Sequence, residues 1–125
     1  MTKFKWSKNS TLLKSSLSAA TGFVNAVKTE KKIRQVVLVM LGASAICAIA
    51  DVGYFQIMMI IFSWVVALIC EIFNTALEKA LDYASGKEYH PLIRDGKDYA
   101  SACTFIALIF AGALTLIILA DRLFR

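Results

Sequence analysis

The chain has 125 residues, 58% of them hydrophobic and 18% charged, with a formal net charge of +5. Soluble domains average about 45–50% apolar residues; the excess here sits in three long blocks with nearly all the charge between them, which excludes an ordinary soluble globule and reads as one membrane-embedded domain, 1–125. The basic residues flank apolar blocks and form no basic face with interleaved aromatics, so nucleic acid is excluded as a partner and anionic membrane lipids are implied.

Residues 1–9 are basic and polar. Lys3, Lys5 and Lys8 resemble the start of a signal peptide, but no apolar stretch or cleavage site follows. In the next segment Leu12, Leu13, Leu17, Ala20, Val24 and Val27 recur at spacings of three and four, with Lys14, Ser15, Ser18, Thr21, Asn25 and Lys28 opposite. This predicts an amphipathic helix over about 10–28, lying in the membrane interface or packed on the rest of the chain. After the charged junction 29–35 comes the run Val36 to Ala50, free of charge but short for a bilayer. A first transmembrane helix is therefore expected over about 31–50, with Lys31, Lys32 and Arg34 reaching back to the headgroups.

Asp51, Val52 and Gly53 mark a tight break. The second apolar block starts at Tyr54, carries Trp64, and has Gln56 as its one strong polar interruption. Its helical pattern runs past the apolar stretch, giving an expected helix over about 54–82. Residues 83–99 read as a polar loop, with Pro91 barring a helix running straight through. The third transmembrane helix is expected over about 98–121, with Gly112, Ala111 and Ala113 offering a close packing face. Cys47, Cys70 and Cys103 lie inside the apolar blocks without metal-ligand spacing, so they read as small buried hydrophobes.

Lys and Arg set the expected orientation. Eight precede the first span, none lies in the Asp51 turn, and Lys79, Lys87, Arg94 and Lys97 lie between the second and third spans. The amino terminus and the loop 83–99 are thus expected to be cytoplasmic, with the carboxyl terminus outside.

Glu71, Asn74, Glu78 and Asp82 are spaced 0, 3, 7 and 11 along one expected helix. At 3.6 residues per turn they fall within an arc of about 80°. The bland reading is a solvated face with i,i+4 pairs such as Asn74 with Glu78. Glu71, however, follows directly on an apolar run, and an ionisable group at that depth is a functional hypothesis by default. A lipid hydroxyl held at the interface and a Mg²⁺-bound triphosphate arriving from water would need such a set: a base, metal carboxylates and a cation on the transferring phosphate. Glu71 suits the base, Glu78 the metal, Glu30 the completion of the metal site, and Lys97 the phosphate charge. Tyr89 could stack on a purine or anchor the loop. His90 alone is not a metal site, and no Gly-rich phosphate cradle is present.

The run Glu71-Ile72-Phe73-Asn74-Thr75-Ala76-Leu77-Glu78 with Asp82, the later Glu88-Tyr89-His90 and Lys97-Asp98, and the earlier Glu30 and Arg34-Gln35 together resemble the small bacterial diacylglycerol kinase family, over about 15–121. The resemblance implies an all-α homotrimer with three transmembrane helices and an amphipathic surface helix per subunit, in the bacterial inner membrane. It implies transfer of the ATP γ-phosphate to a lipid hydroxyl, at sites shared between subunits. Matched positions would make Glu71 the catalytic base and Glu30 and Glu78 the Mg²⁺ ligands. Glu88, Tyr89, His90, Lys97 and Asp98 would contact ATP, with Asn74 near the phosphates. Arg34, Gln35 and Ser101 would border the lipid. Ser18, Ala20-Thr21, Val36 and the segment Arg94-Asp95-Gly96 depart from the family's pattern. The Arg34-Gln35 pair and the Asp51-Val52 turn are similar to the branch that phosphorylates diacylglycerol and feeds phospholipid recycling, which is the reading taken. His90-Pro91 also occurs in the undecaprenol kinase branch, the alternative; a non-catalytic small membrane subunit is the remote one.

Overall fold

The computed structural model describes residues 11–86 and 88–124. The basic segment 1–9, Ser10, Lys87 and Arg125 lie outside the described residues. Four helices follow in order: α1 (Leu12–Thr29), α2 (Lys31–Ile49), α3 (Tyr54–Ala84) and α4 (Pro91–Phe124). No strand occurs among the described residues. The last three helices are each long and apolar enough to cross a membrane. The molecule is an all-α membrane protein, as its composition required.

At 1.5 Å per residue α2 measures about 28 Å, α3 about 46 Å and α4 about 51 Å, against a hydrocarbon core of about 30 Å. Only α2 matches the bilayer. The other two carry polar extensions, and they meet at the same end, across residues 85–90.

Each break in the chain has its own cause. Glu30 alone separates α1 from α2, with an extended backbone. The Arg34 guanidinium donates back to the carbonyls of Val27 (3.5 Å) and Lys28 (3.2 Å), which α1 leaves without helical partners. At the far end of α2, Asp51 takes a left-handed backbone (φ 55°). The Val52 amide then bonds Cys47 O and the Asp51 amide bonds Ala48 O, a Schellman motif closed by buried Val52 against buried Cys47. Gln56, the polar interruption in the second block, lies in the first turn of α3, where its side chain accepts from the Gly53 amide (3.2 Å). Gly86 (φ 60°) ends α3 in the left-handed region that glycine enters freely.

α4 begins at Pro91, so part of the segment expected as loop is helix. Proline bars a helix that must run through it, but at the first helical position its missing amide costs nothing. His90 supplies the cap: its Nδ1 accepts from the Leu92 amide (3.3 Å).

α3 is the central helix, packing against both α2 and α4, most extensively against α4. The α4 seam consists of Ala100, Thr104, Ala111 and Thr115, small residues that let the two backbones approach, and of Ile118 towards the far end. Ala111 is fully buried, whereas Gly112 lies beside it with open space where a Cβ would stand. The packing face is therefore Ala111's, not Gly112's. Trp64 of α3 donates its indole N–H to Thr115 Oγ1 (3.0 Å), and that hydroxyl donates to Ala111 O (2.8 Å). An interhelical bond of this kind contributes about 0.6 kcal/mol inside a bilayer. Of the three cysteines only Cys47 is fully buried; Cys70 is half-buried and Cys103 exposed.

No residue of α1 is buried. Leu12, Leu13, Leu17 and Val24 remain exposed, and only Ala26 and Val27 of the last turns pack against the core. Its apolar stripe is thus left uncovered by the rest of the chain, which is what an interfacial helix requires.

Candidate active site

Glu71 lies about 26 Å along α3 from Tyr54, level with the start of α2 and so at the edge of the hydrocarbon. It is 4% exposed, and its Oε1 has no hydrogen-bond partner among the described residues. Asn74, one turn on, is 3% exposed. Its Nδ2 donates to Glu78 Oε1 (3.2 Å), while its Oδ1 has no partner. Most buried polar atoms are paired, so two orphans on adjacent turns call for an explanation. Both are oxygen atoms. The i,i+4 pair expected from the bland reading is present, and it leaves the orphans unexplained.

Two cavities flank this helix face. The first, about 290 Å³, is mostly apolar and is lined by Lys32, Gln35, Val36, Val39, Trp64, Glu71 and Leu108. It joins Glu71 to Gln35 across α2 and α3. The second, about 480 Å³, lies in the polar extensions and is lined by Asp82, Ser85, Glu88, Tyr89, His90, Ile93, Arg94, Lys97 and Asp98. All five residues that the family resemblance assigns to nucleotide contact outside α3 share this one space. Lys97 Nζ bonds Asp82 Oδ1 across α3 and α4, which holds the ammonium at the cavity wall. Because His90 Nδ1 accepts from the Leu92 amide, the neutral ring carries its proton on Nε2.

Glu30 takes a different position. It faces Lys79, whose Nζ donates to Glu30 Oε1 (2.5 Å). That hydrogen bond outweighs desolvation and, with the charge of Lys79 and the Thr29 hydroxyl (3.3 Å), holds the Glu30 carboxyl below the usual carboxylate range. Glu30 and Lys79 share a third cavity with Thr75 and Ala76, on the side of α3 roughly a quarter-turn from Glu78. The chain thus brings Glu71, Asn74, Glu78 and Asp82 together on one helix face, and places Glu30 beside it. Among the described residues no three His, Cys, Asp or Glu side chains form a metal-sized cluster.

Mg²⁺ needs fewer protein ligands than that. It is typically held by one or two carboxylates with water and substrate phosphate oxygens completing the octahedron. The unpartnered Asn74 Oδ1 beside the Glu78 carboxylate is a hard-oxygen set of the right kind.

Arg34 caps α1 and lines neither of the two cavities flanking the site. Ser101 is exposed on α4 and also lines neither. Reading the sequence passed over Lys79 as the partner of Glu30, Lys32 at the mouth of the apolar cavity, and Trp64 in its wall. Trp64 was findable: it precedes Glu71 by seven residues, two turns along the same helix face.

A buried carboxylate at the hydrocarbon edge, with an apolar cavity on one side and a polar one on the other, marks a small membrane-embedded protein with a site at the membrane boundary. Residues 17–119 match the model of the prokaryotic diacylglycerol kinase family. The chain belongs to that family. It is 36% identical over 87 residues to a diacylglycerol kinase of Pseudomonas aeruginosa, covering 70% of each chain. It is 37% identical over 82 residues to the diacylglycerol kinase of Escherichia coli K12, covering 66% of each. A Helicobacter pylori diacylglycerol kinase is 32% identical over 81 residues, 65% of this chain and 62% of that protein. The chain thus spans a little under two thirds of that relative's length.

Proposed function

We propose that the protein transfers the γ-phosphate of MgATP to the free hydroxyl of diacylglycerol, giving phosphatidic acid and ADP. The reaction would run at the cytoplasmic face of the bacterial inner membrane, in a homotrimer, with the amino terminus and the 85–90 connection inside. One observation carries this reading: Glu71 has a buried, unpartnered carboxylate oxygen and shares an apolar cavity with Gln35 at the membrane edge.

Glu71 accepts the hydroxyl proton as the acceptor oxygen bonds to the γ-phosphorus and the bond to the bridging oxygen of ADP breaks. Gln35 orients the acceptor's polar head in the same cavity, with Ser101 and Arg34 at the border of the lipid. Glu88, Tyr89, His90, Lys97 and Asp98 hold the nucleotide in the polar cavity. Lys97 exchanges Asp82 for phosphate oxygen, so its charge reaches the donor only when ATP is bound. Asn74 Oδ1 and Glu78 would hold the magnesium, with Glu30 joining on release of Lys79, and a cation there would offset the charge that builds on the transferring phosphoryl group.

The test is transfer of labelled γ-phosphate from MgATP by the purified full chain in mixed micelles, with diacylglycerol and undecaprenol offered separately. Labelled phosphatidic acid is the expected product. Label in undecaprenyl phosphate alone would move the acceptor to the other branch, and label in neither would overturn the kinase reading.

A further inference from the structure

The apolar cavity at Glu71 has a neighbour deeper in the bilayer. A further cavity of about 340 Å³ is lined by Val39, Gly42, Ala43, Ile46 and Cys47 of α2 and by Thr115, Leu116 and Leu119 of α4. The two cavities follow one another along the same pair of helices. On α2 the lining runs from Lys32, Gln35 and Val36 in the upper to Gly42, Ala43 and Ile46 in the lower, with Val39 in both. On α4 it runs from Leu108 to Thr115 and beyond. They form one apolar groove between α2 and α4, whose direct packing is slight.

Where the upper cavity gives way to the lower, one contact intervenes. Trp64 of α3 lines the upper cavity, and Thr115, which accepts its indole N–H at 3.0 Å, lines the lower. The ring is 7% exposed and heads a donor chain that runs from indole N–H to hydroxyl to Ala111 carbonyl. In hydrocarbon that N–H has no solvent to turn to, so the ring is not free to swing aside. Two helical turns separate Trp64 from Glu71, about 10 Å.

We infer that Trp64, locked by Thr115, is a specificity-determining residue that closes the acceptor cavity about 10 Å below the reacting hydroxyl. The inference rests on the reading of that cavity as the acceptor site. The lipid's glycerol and the first part of a chain fill the space between Glu71 and the indole. The rest of the chain is turned out into the bilayer rather than continuing down the α2–α4 groove. The enzyme thereby recognises the part of the lipid near its hydroxyl and is indifferent to what lies beyond.

The experiment measures kcat/KM for diacylglycerols of increasing acyl length, at fixed mole fraction in mixed micelles, for the full chain and for Trp64→Leu, Trp64→Phe and Thr115→Val. The wild type is expected to plateau once the chain is long enough to reach the indole. Trp64→Leu joins the two cavities, so long chains gain over short ones by about tenfold. The gain lies in the acceptor KM, with the KM for ATP unmoved. Thr115→Val frees the ring and shifts the profile the same way by less, and Trp64→Phe, which keeps a ring but loses the same bond, shifts it by a similar smaller amount. Loss of rate by one common factor at every chain length would overturn the inference, since simple packing predicts that.

A second readout does not depend on turnover. In a Trp6→Phe background Trp64 is the only indole, and a diacylglycerol brominated near the start of its acyl chain should quench it saturably. Equal quenching by a brominated phospholipid at the same mole fraction overturns the inference. Saturable quenching in a protein that transfers no phosphate would sink the kinase reading and leave the cavity assignment standing.

Discussion

The two ends of the helical bundle handle their polar groups in opposite ways. At the Asp51 end the chain ends reached by the helices are tied off: the Schellman motif closes α2, Gln56 caps α3, and Arg122 of α4 donates to Ala50 O (3.1 Å) and to the Asp51 carboxylate (3.0 Å). At the Glu71 end two side-chain oxygens are buried and left without partners, and the ammonium groups of Lys79 and Lys97 are lent to nearby carboxylates. One end is built to be finished; the other is complete only with something added. The difference teaches that buried polarity in a membrane protein is informative when it is unsatisfied, because satisfied polarity is already explained by the fold.

The largest effect belongs to the orphan carboxylate. Glu71→Gln keeps the shape and removes the proposed base, so kcat should fall by about 10²–10⁴-fold with the elution position on gel filtration unchanged. Glu71→Leu should be as inactive and melt at or above the wild-type temperature, because it removes a buried group that lacks a partner. A lower melting temperature for Glu71→Leu would mean that the carboxylate is satisfied in the folded protein.

Next come the residues proposed to hold magnesium. Glu78→Ala should raise the Mg²⁺ concentration for half-maximal rate by at least about tenfold, and Glu30→Ala should act in the same direction. An unchanged Mg²⁺ dependence in Glu30→Ala would leave Glu30 a partner of Lys79 and nothing more.

The Glu30–Lys79 pair has its own pH signature. Its carboxyl titrates below the usual carboxylate range because of the Lys79 hydrogen bond and charge. The pair's contribution to stability is therefore fully present above the unfolded carboxyl's value and is lost only as pH falls through the lower, folded one. Comparing the melting of wild type and Lys79→Met, the difference should be constant from neutrality down to the carboxylate range and vanish in acid. A difference that changes near neutrality would assign the titration to another group. Since Lys79 is largely exposed, the effect is small.

The smallest effect is expected at the finished end. Arg122→Ala removes an exposed pair and one carbonyl contact, so it should cost about 1 kcal/mol or less and leave kcat unchanged. A large loss of activity there would break the division between the two ends.

Much of this was legible in the chain. The three spans follow from apolar length, and the helix face bearing Glu71, Asn74, Glu78 and Asp82 follows from helical spacing alone. The start of α4 was not, because Pro91 both breaks and begins helices and only the His90 cap decides between them. The packing seam fell on Ala111 rather than Gly112 because helix rotation depends on the neighbour, which local composition does not reveal. Arg34 read as a headgroup or lipid contact; that its guanidinium also caps α1, a role set by the single-residue break at Glu30, needed the structure. The pairing of Glu30 with Lys79 and of Lys97 with Asp82 needed the tertiary structure, since each joins residues far apart in the chain.

The one span without an overhang gives the molecule a ruler. α2 ends in Lys31 and Lys32 at one side and in the Asp51 turn at the other, about 28 Å apart. Neither end can be drawn into hydrocarbon cheaply, whereas α3 and α4 can slide in their long polar extensions. α2 therefore sets how deep Glu71 stands below the headgroups, and with it the height of the proposed acceptor hydroxyl. The thickness of the surrounding bilayer becomes, through this helix, a determinant of which molecules are within reach.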